Sequence, residues 1–285
     1  MKPSVHYEVV VEPNRSWFRI PWHELAEYRD LLFLMVHRDF VGKYKQTILG
    51  PVWFVVQPLM TTLVFTVVFG KWARLPTDGQ PSMLFYLAGT VAWGYFAQCF
   101  TATSTTFVSN ASLFGKVYFP RLIVPLSKTL SSLLGFAIQF TTFMAFWIYF
   151  KAFTPAGAGI HPHPAVAAVP LLLVESAAMG LGAGLWMSAL TAKYRDLGFL
   201  SGFLTQLWMY ASLVVIPMSQ VPEKWRWLLA FNPMAVVVES FRFMFFGTGT
   251  VYAAHAVLAA VLAVLLLASG VLVFSRTERT FIDTV

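Results

Sequence analysis

Residues 129–150 read TLSSLLGFAIQFTTFMAFWIYF, 22 positions without one charged side chain. About 20 consecutive apolar residues in a helix cross the hydrocarbon core of a bilayer, so this stretch by itself predicts a membrane span. The rest of the chain has the same texture. Of its 285 residues 58% are hydrophobic and 12% charged, with a mean hydropathy of +0.66. A soluble domain carries about 25% charged residues, and a soluble fold with half that has too little polar surface to cover itself. The composition therefore excludes a soluble enzyme, a disordered chain and a nucleic-acid-binding domain. The formal net charge of +7 reports topology, because basic residues concentrate on the cytoplasmic side of membrane proteins. A lone cysteine, Cys99, leaves no intrachain disulfide and no Cys-rich metal site.

Working outward, charges act as punctuation. Lys71, Arg74 and Asp78 mark one loop, Lys116 and Arg121 a second, and Lys193, Arg195 and Asp196 a tight polar turn. Between them lie six expected spans, at about 46–70, 83–107, 124–150, 165–190, 197–220 and 252–274. These make up a transmembrane domain over 46–275, between an N-terminal segment of 1–45 and a tail of 276–285. No short apolar core with a small-residue cleavage site follows the start, so no secretory signal peptide is expected. Residues 21–38 predict a surface helix. Pro21 suits its first turn, acidic residues lie toward its start, His37 and Arg38 lie in its last turn, and Gly42 follows. Trp22, Leu25, Tyr28, Leu32, Met35 and Val36 form one apolar stripe, fit either for the membrane interface or for docking on the protein's own core.

The stretch 223–247 is apolar but contains Glu223, Lys224, Arg226, Glu239 and Arg242, with Pro233 in its middle. Its charge-free run is too short to span, which predicts two short re-entrant or interfacial helices. With six spans and both termini in the cytoplasm, 14 of the 20 Lys and Arg lie inside and 6 outside, as the positive-inside rule prefers. The inner loops are too short for an ATPase domain. No Walker-type glycine loop occurs, since Gly42-Lys43 and Gly115-Lys116 lack both the preceding glycine and the following hydroxyl residue. Any energy source must sit on another chain. The runs Lys116-Val-Tyr118-Phe119-Pro120-Arg121 and Lys193-Tyr194-Arg195-Asp196 combine aromatics with fixed charges. That suits either docking on a soluble protein or plain anchoring at the bilayer edge.

One order of motifs runs along nearly the whole chain, about 20–285. It comprises His37-Arg38-Asp39, Lys43-Tyr-Lys45, Thr47-Ile-Leu-Gly50-Pro-Val-Trp53 with Gln57-Pro58, the two loop runs above, Gln206-Leu-Trp208-Met-Tyr210-Ala-Ser212, Asn232-Pro-Met234, Glu239-Ser-Phe-Arg242 and Glu278-Arg-Thr-Phe-Ile-Asp283. It resembles the ABC-2 type polysaccharide-export permeases, above all the O-antigen exporters of Gram-negative inner membranes; capsule and teichoic-acid exporters share the architecture. The resemblance implies an all-α membrane subunit with six spans, an N-terminal interfacial helix and two short periplasmic gate helices between spans five and six. It implies a homodimer with two ATPase subunits beneath it, which hold the ATP and Mg; this chain needs no cofactor of its own. Contacts to the ATPase would come from Arg38, Asp39, Lys116, Tyr118, Phe119, Pro120, Arg121, Tyr194, Arg195 and Asp196. Trp225, Trp227, Glu239 and Arg242 would belong to the gate, and lipid-linked polysaccharide would pass between the two permease chains. Leu213-Val-Val-Ile-Pro217 defers a proline that many relatives place after Ser212, so the top of span five is expected to bend elsewhere.

A polysaccharide channel needs walls that tolerate water yet stack on sugar rings, as aromatic faces do. Phe65, Phe69, Trp93, Tyr95, Phe96, Phe100, Trp208 and Tyr210 are the candidates, although Phe also fills lipid-facing surfaces and Trp and Tyr mark interfaces. Gly180, Gly182 and Gly184 read as sites of close helix packing. Glu175 is the one acidic residue deep in a span. Its insertion costs about 2.5–3.5 kcal/mol, so it should face the bundle, water or a partner, with a structural hydrogen bond favoured over proton coupling. Glu239 and Arg242 stand three apart and would share a helix face, either fastening the gate or neutralising a buried turn. His161 and His163 find no third ligand for a metal. An enzyme acting on a lipid-linked glycan is the alternative of a different class, but no convergent acid, His and Arg cluster supports it.

Overall fold

The computed structural model describes residues 22–45, 48–117 and 119–281, and every regular element among them is helical. Helices α1 (Trp22–Glu27) and α2 (Arg29–Tyr44) precede α3 (Trp53–Phe65), which runs on as a wide π-helical stretch over Thr66–Trp72. Then come α4 (Ser82–Ser104), the single turns α5 (Thr106–Ser109) and α6 (Ala111–Phe114), α7 (Ile123–Phe153), α8 (Val169–Lys193) and α9 (Leu197–Ala211). After it come α10 (Glu223–Ala230), α11 (Pro233–Phe246) and α12 (Ala253–Phe281).

Four segments are long and apolar enough to cross a membrane: Gly50–Trp72, Ile123–Phe153, Pro164–Lys193 and Ala253–Glu278. Helices α10 and α11 would add a fifth only if taken together, and they are bent apart by 106°. The chain is an all-helical integral membrane protein. Helix α4, expected as a span, is long but rich in Thr, Ser, Gly and Gln. It can be so because α3, α7, α8 and α11 pack around it and 16 of its 23 residues are buried. Over the fifth expected span, 197–220, the helix is shorter than expected. Helix α9 stops at Ala211, and its 15 residues reach only about 22 Å, short of a hydrocarbon core of roughly 30 Å. It ends there because the chain leaves the helix at Ser212 and Leu213 takes a left-handed φ of 59°.

Two clusters hold the bundle together. The larger surrounds α4, with Phe85, Tyr86, Phe96, Phe143 and Phe246 almost wholly enclosed. The smaller lies at the end of the bundle that carries α2 and the last turns of α12, here called basal, and gathers Met35, Phe107, Phe114, Phe119 and Phe274. Phe107 and Phe274 stack with ring centroids 4.4 Å apart. Leu25, Tyr28, Leu32 and Met35 of the expected stripe pack on this cluster, so that face of α1–α2 docks on the protein's own core. Phe33 and Leu34 point away from it, 65% and 64% exposed.

Candidate functional site: the basal face, the aromatic interior and the distal hairpin

At the basal end the residues expected to meet an ATPase subunit separate into two sets. Arg38, Lys116, Tyr194, Arg195 and Asp196 are exposed. Asp39, Phe119, Pro120 and Arg121 are buried and hold the protein itself together, and Tyr118 lies outside the described residues. The Asp39 carboxylate sits 3.0 Å from Arg38 Nη2 and 3.0 Å from Lys128 Nζ, so it ties α2 to α7. Arg121, only 7% exposed, donates from Nη1 to the Glu278 carbonyl at 2.6 Å, pairs with the Glu278 carboxylate at 3.7 Å and lies over the Phe114 ring. A guanidinium buried this way fixes the loop before α7 to the end of α12 and is not free for another chain. Lys193 rests over the Tyr194 ring at 5.2 Å, and the turn at 194–196 is exposed throughout.

Most of the expected channel aromatics lie inside the subunit. Phe65, Trp93, Tyr95, Phe96 and Phe100 are all buried, and they pack on one another and their neighbours. Phe65 meets Phe69 and Tyr86 edge-on, Tyr95 meets Phe136, and Trp208 sits against Trp93, Phe96 and Phe100 with centroids 4.8–6.4 Å apart. These five are therefore corrected from channel wall to core in this conformation, because a ring enclosed by its own subunit has no face left for a sugar. Phe69 and Trp208 are partly exposed and Tyr210 is 46% exposed. Beneath α9 lies an open apolar groove of about 560 Å³, bounded by α4, α8, α9 and α12. Glu175 is half-buried on α8, and its Oε1 has no hydrogen-bond partner among the described residues, so the structural hydrogen bond expected for that oxygen is not made.

At the opposite, distal end the chain folds back as α10 and α11. Arg242 is 2% exposed, yet it does not pair with Glu239. Its two terminal nitrogens donate to the carbonyls of Leu213 and Val214, each at 2.6 Å, and its guanidinium lies 3.6 Å from the Phe85 ring centroid. Glu239 turns to the other polarity. Its carboxylate faces the backbone N–H groups of Met218 and Thr250 without a hydrogen bond of full geometry. The two residues thus serve a buried turn, one side chain offering donors and the other acceptors. Gly249, at φ 106°, leaves room for Glu239, since a side chain there would put Cβ 2.8 Å from Oε1. Trp225 and Trp227 of α10 are more than half exposed, while Arg226 turns inward to the Val221 carbonyl.

Four residues here make anchoring contacts that sequence reasoning did not assign. Asn232, in the bend between α10 and α11, accepts from Trp208 Nε1 and donates to the Ala211 carbonyl and Ser212 Oγ. The last carbonyls of α11 are satisfied from outside: His163 N donates to Met244 O, Trp147 Nε1 to Phe245 O and His161 N to Phe246 O. A buried helix end needs such partners, which explains why the loop carrying His161 and His163 packs where it does. Asn232 lay within a quoted motif, but its partners are remote in sequence.

A long-helix bundle with a charged basal face, no nucleotide-binding loop and a folded-back distal hairpin is the build of a membrane transport component. Residues 30–246 match the ABC-2 type transporter family, and the chain belongs to it. It is a transport component and not an enzyme. Among its relatives are two O-antigen export system permease proteins RfbA of Klebsiella pneumoniae. One is 24% identical over 92% of this chain and 97% of the relative, the other 25% identical over 78% and 83%. An O-antigen export system permease protein RfbA of Myxococcus xanthus is 23% identical over 92% of this chain and 98% of the relative.

Proposed function

We propose that this chain is the permease subunit of an ATP-driven exporter that moves lipid-linked polysaccharide of the O-antigen type across the inner membrane, from the cytoplasmic to the periplasmic side. The observation that carries this reading is the similarity, over 78–92% of this chain, to three O-antigen export permeases. In this reading two copies of the chain assemble with two ATPase subunits, which bind the ATP and Mg. Each copy crosses the membrane six times with both termini in the cytoplasm, α4 included and span five made of α9 continued by the apolar residues 213–216, the basal face is cytoplasmic and the α10–α11 hairpin is the periplasmic gate. Five exposed residues, Arg38, Lys116, Tyr194, Arg195 and Asp196, remain as contacts for the ATPase. Exposed rings such as Tyr210, and not the enclosed ones on α4, face the transport path.

The test is purification of the chain in mild detergent with an ATPase assay on what co-elutes, joined to analysis of the glycan retained in cells that lack it. A complex of permease and ATPase chains that turns over ATP, with lipid-linked polysaccharide accumulating inside the deficient cells, is the expected result. A lone protein under conditions that preserve such complexes, or unchanged polysaccharide at the surface, overturns the reading.

A further inference from the structure

Helix α9 is held very differently at its two ends. Of its 15 residues only Ser201 is buried, so its shaft is loosely attached to the bundle. Its distal end, in contrast, is fixed by five hydrogen bonds from outside the helix's own ladder. Trp208 Nε1 donates to Asn232 Oδ1, Asn232 Nδ2 donates to Ala211 O and Ser212 Oγ, and the Arg242 nitrogens donate to Leu213 O and Val214 O. The element that supplies Arg242 is itself immobilised, since 13 of the 14 residues of α11 are buried and its final carbonyls are capped by His161, His163 and Trp147. Along the shaft and up to its held end runs the 560 Å³ groove, with Leu204, Leu207, Trp208 and Ala211 of α9 facing Ala183, Met187 and Leu190 on the basal half of α8.

We infer that α9 is a lever pivoting about its distal end, with Asn232 and Arg242 as positioning residues that form the pivot. The charged turn at 194–196 is the free end, and the groove is the space into which the shaft moves. Charge-assisted hydrogen bonds to buried carbonyls are strong and leave those carbonyls without a partner when broken, whereas apolar contacts along the shaft slide at small cost. The geometry gives the gain. For a shaft of about 22 Å, a swing of about 10° moves the Leu197 end by roughly 4 Å and the Tyr210 position by less than about 1 Å. The hairpin α10–α11 stays with the pivot, so motion of the basal turn opens the wall beside α8 without carrying the distal bend along. That the turn at 194–196 is driven by an ATPase subunit rests on the reading above; the pivot itself does not.

The experiment uses spin-label distance distributions on the full-length chain in lipid nanodiscs, diluted with unlabelled chain, and Cys99 replaced by Ala. One label pair joins Phe199→Cys to Leu133→Cys near the basal end; the other joins Tyr210→Cys to Ile148→Cys near the distal end. All four positions are exposed. Without nucleotide, the basal pair should give a distribution at least about twofold wider than the distal pair. Asn232→Ala and Arg242→Gln should each widen the distal pair toward the basal one, and Trp208→Phe, which keeps a ring but removes one donor, should widen it less. Equal widths in the parent overturn the pivot, as does a distal width that none of the three variants changes. Should Arg242→Gln not yield folded protein, Asn232→Ala and Trp208→Phe decide. If an ATPase partner co-purifies, adding nucleotide should shift the basal mean by several ångströms and leave the distal mean in place; an equal shift at both ends refutes the lever while leaving the transport reading intact.

Discussion

Replacing Gly182 with alanine tests how closely α8 and α12 must approach. The two backbones cross where Gly182 faces Gly270. A Cβ at 182 would lie 2.7 Å from the carbonyl carbon of Leu266 and from Leu267 N, and 2.8 Å from Leu266 O. Ordinary contacts of this kind lie at 3.4–4 Å, so the helices must separate by about 0.7 Å, and all the atoms met belong to backbone that cannot rotate away. Separation by that much forfeits a quarter to a half of each dispersion contact along the crossing. Overpacking a tight core in this way costs about 1–3 kcal/mol. At roughly 2–4 °C per kcal/mol, the scale for domains of 150–250 residues, Gly182→Ala should lower the melting temperature in detergent by about 2–12 °C. Gly202→Ala is the matched control, because that position lies within α9 with nothing in reach of the new methyl group. Alanine there should be neutral or stabilising by up to about 1 kcal/mol through helix propensity. The assay is intrinsic-fluorescence melting of both variants beside the parent. If Gly182→Ala melts within about 1 °C of the parent, or both substitutions destabilise equally, close backbone approach is not what these glycines provide.

Further outcomes follow from the division of the basal residues. Asp39→Asn should lower the melting temperature clearly, because it leaves Lys128 facing a neutral group inside the protein, whereas Arg38→Gln at a half-exposed side chain should change it by less than about 1 °C; paired melting curves decide. Charge reversal Arg195→Glu should leave the amount of membrane-inserted protein unchanged and separate ATP hydrolysis from transport in the reconstituted complex. Arg121→Glu should instead reduce the folded protein itself, read as loss of the monodisperse peak, because it breaks the tie to Glu278. Trp93→Ala should destabilise by about 3–5 kcal/mol as an enclosed ring lost from the core. Tyr210→Ala should leave the melting temperature nearly unchanged and show its effect, if any, in transport, so an equal loss of stability in both would contradict their different burial.

Membrane character and helices at most of the expected places could be read directly, because both follow from uninterrupted apolar runs whose length is set by the bilayer. The family too was legible, since its motifs are short, ordered strings that keep their sequence neighbours. The tight polar turn at 193–196 was legible from its charges, and the structure leaves 194–196 exposed. The end of α9 was not, since residues 213–216 are as apolar as the helix before them and only Arg242, some 29 positions later, supplies donors that let those carbonyls leave the helix.

The sequence by itself determined that the chain is membrane-embedded, all-helical and a member of its family, because each of these rests on composition, run length or local order. Only the tertiary structure decided which charged and aromatic residues are available to anything outside the chain. Arg121 and Arg195 are both loop arginines beside aromatics, and Trp93 and Tyr210 are both aromatic residues within apolar helices. They differ because Glu278 closes over one arginine and the α4 core encloses one ring, while Arg195 and Tyr210 stay exposed on the subunit. Burial is set by which remote elements meet, and an apolar chain offers many equivalent runs for them to meet upon. Specific backbone contacts, Gly182 against α12 and Arg242 against the turn after α9, select among those arrangements.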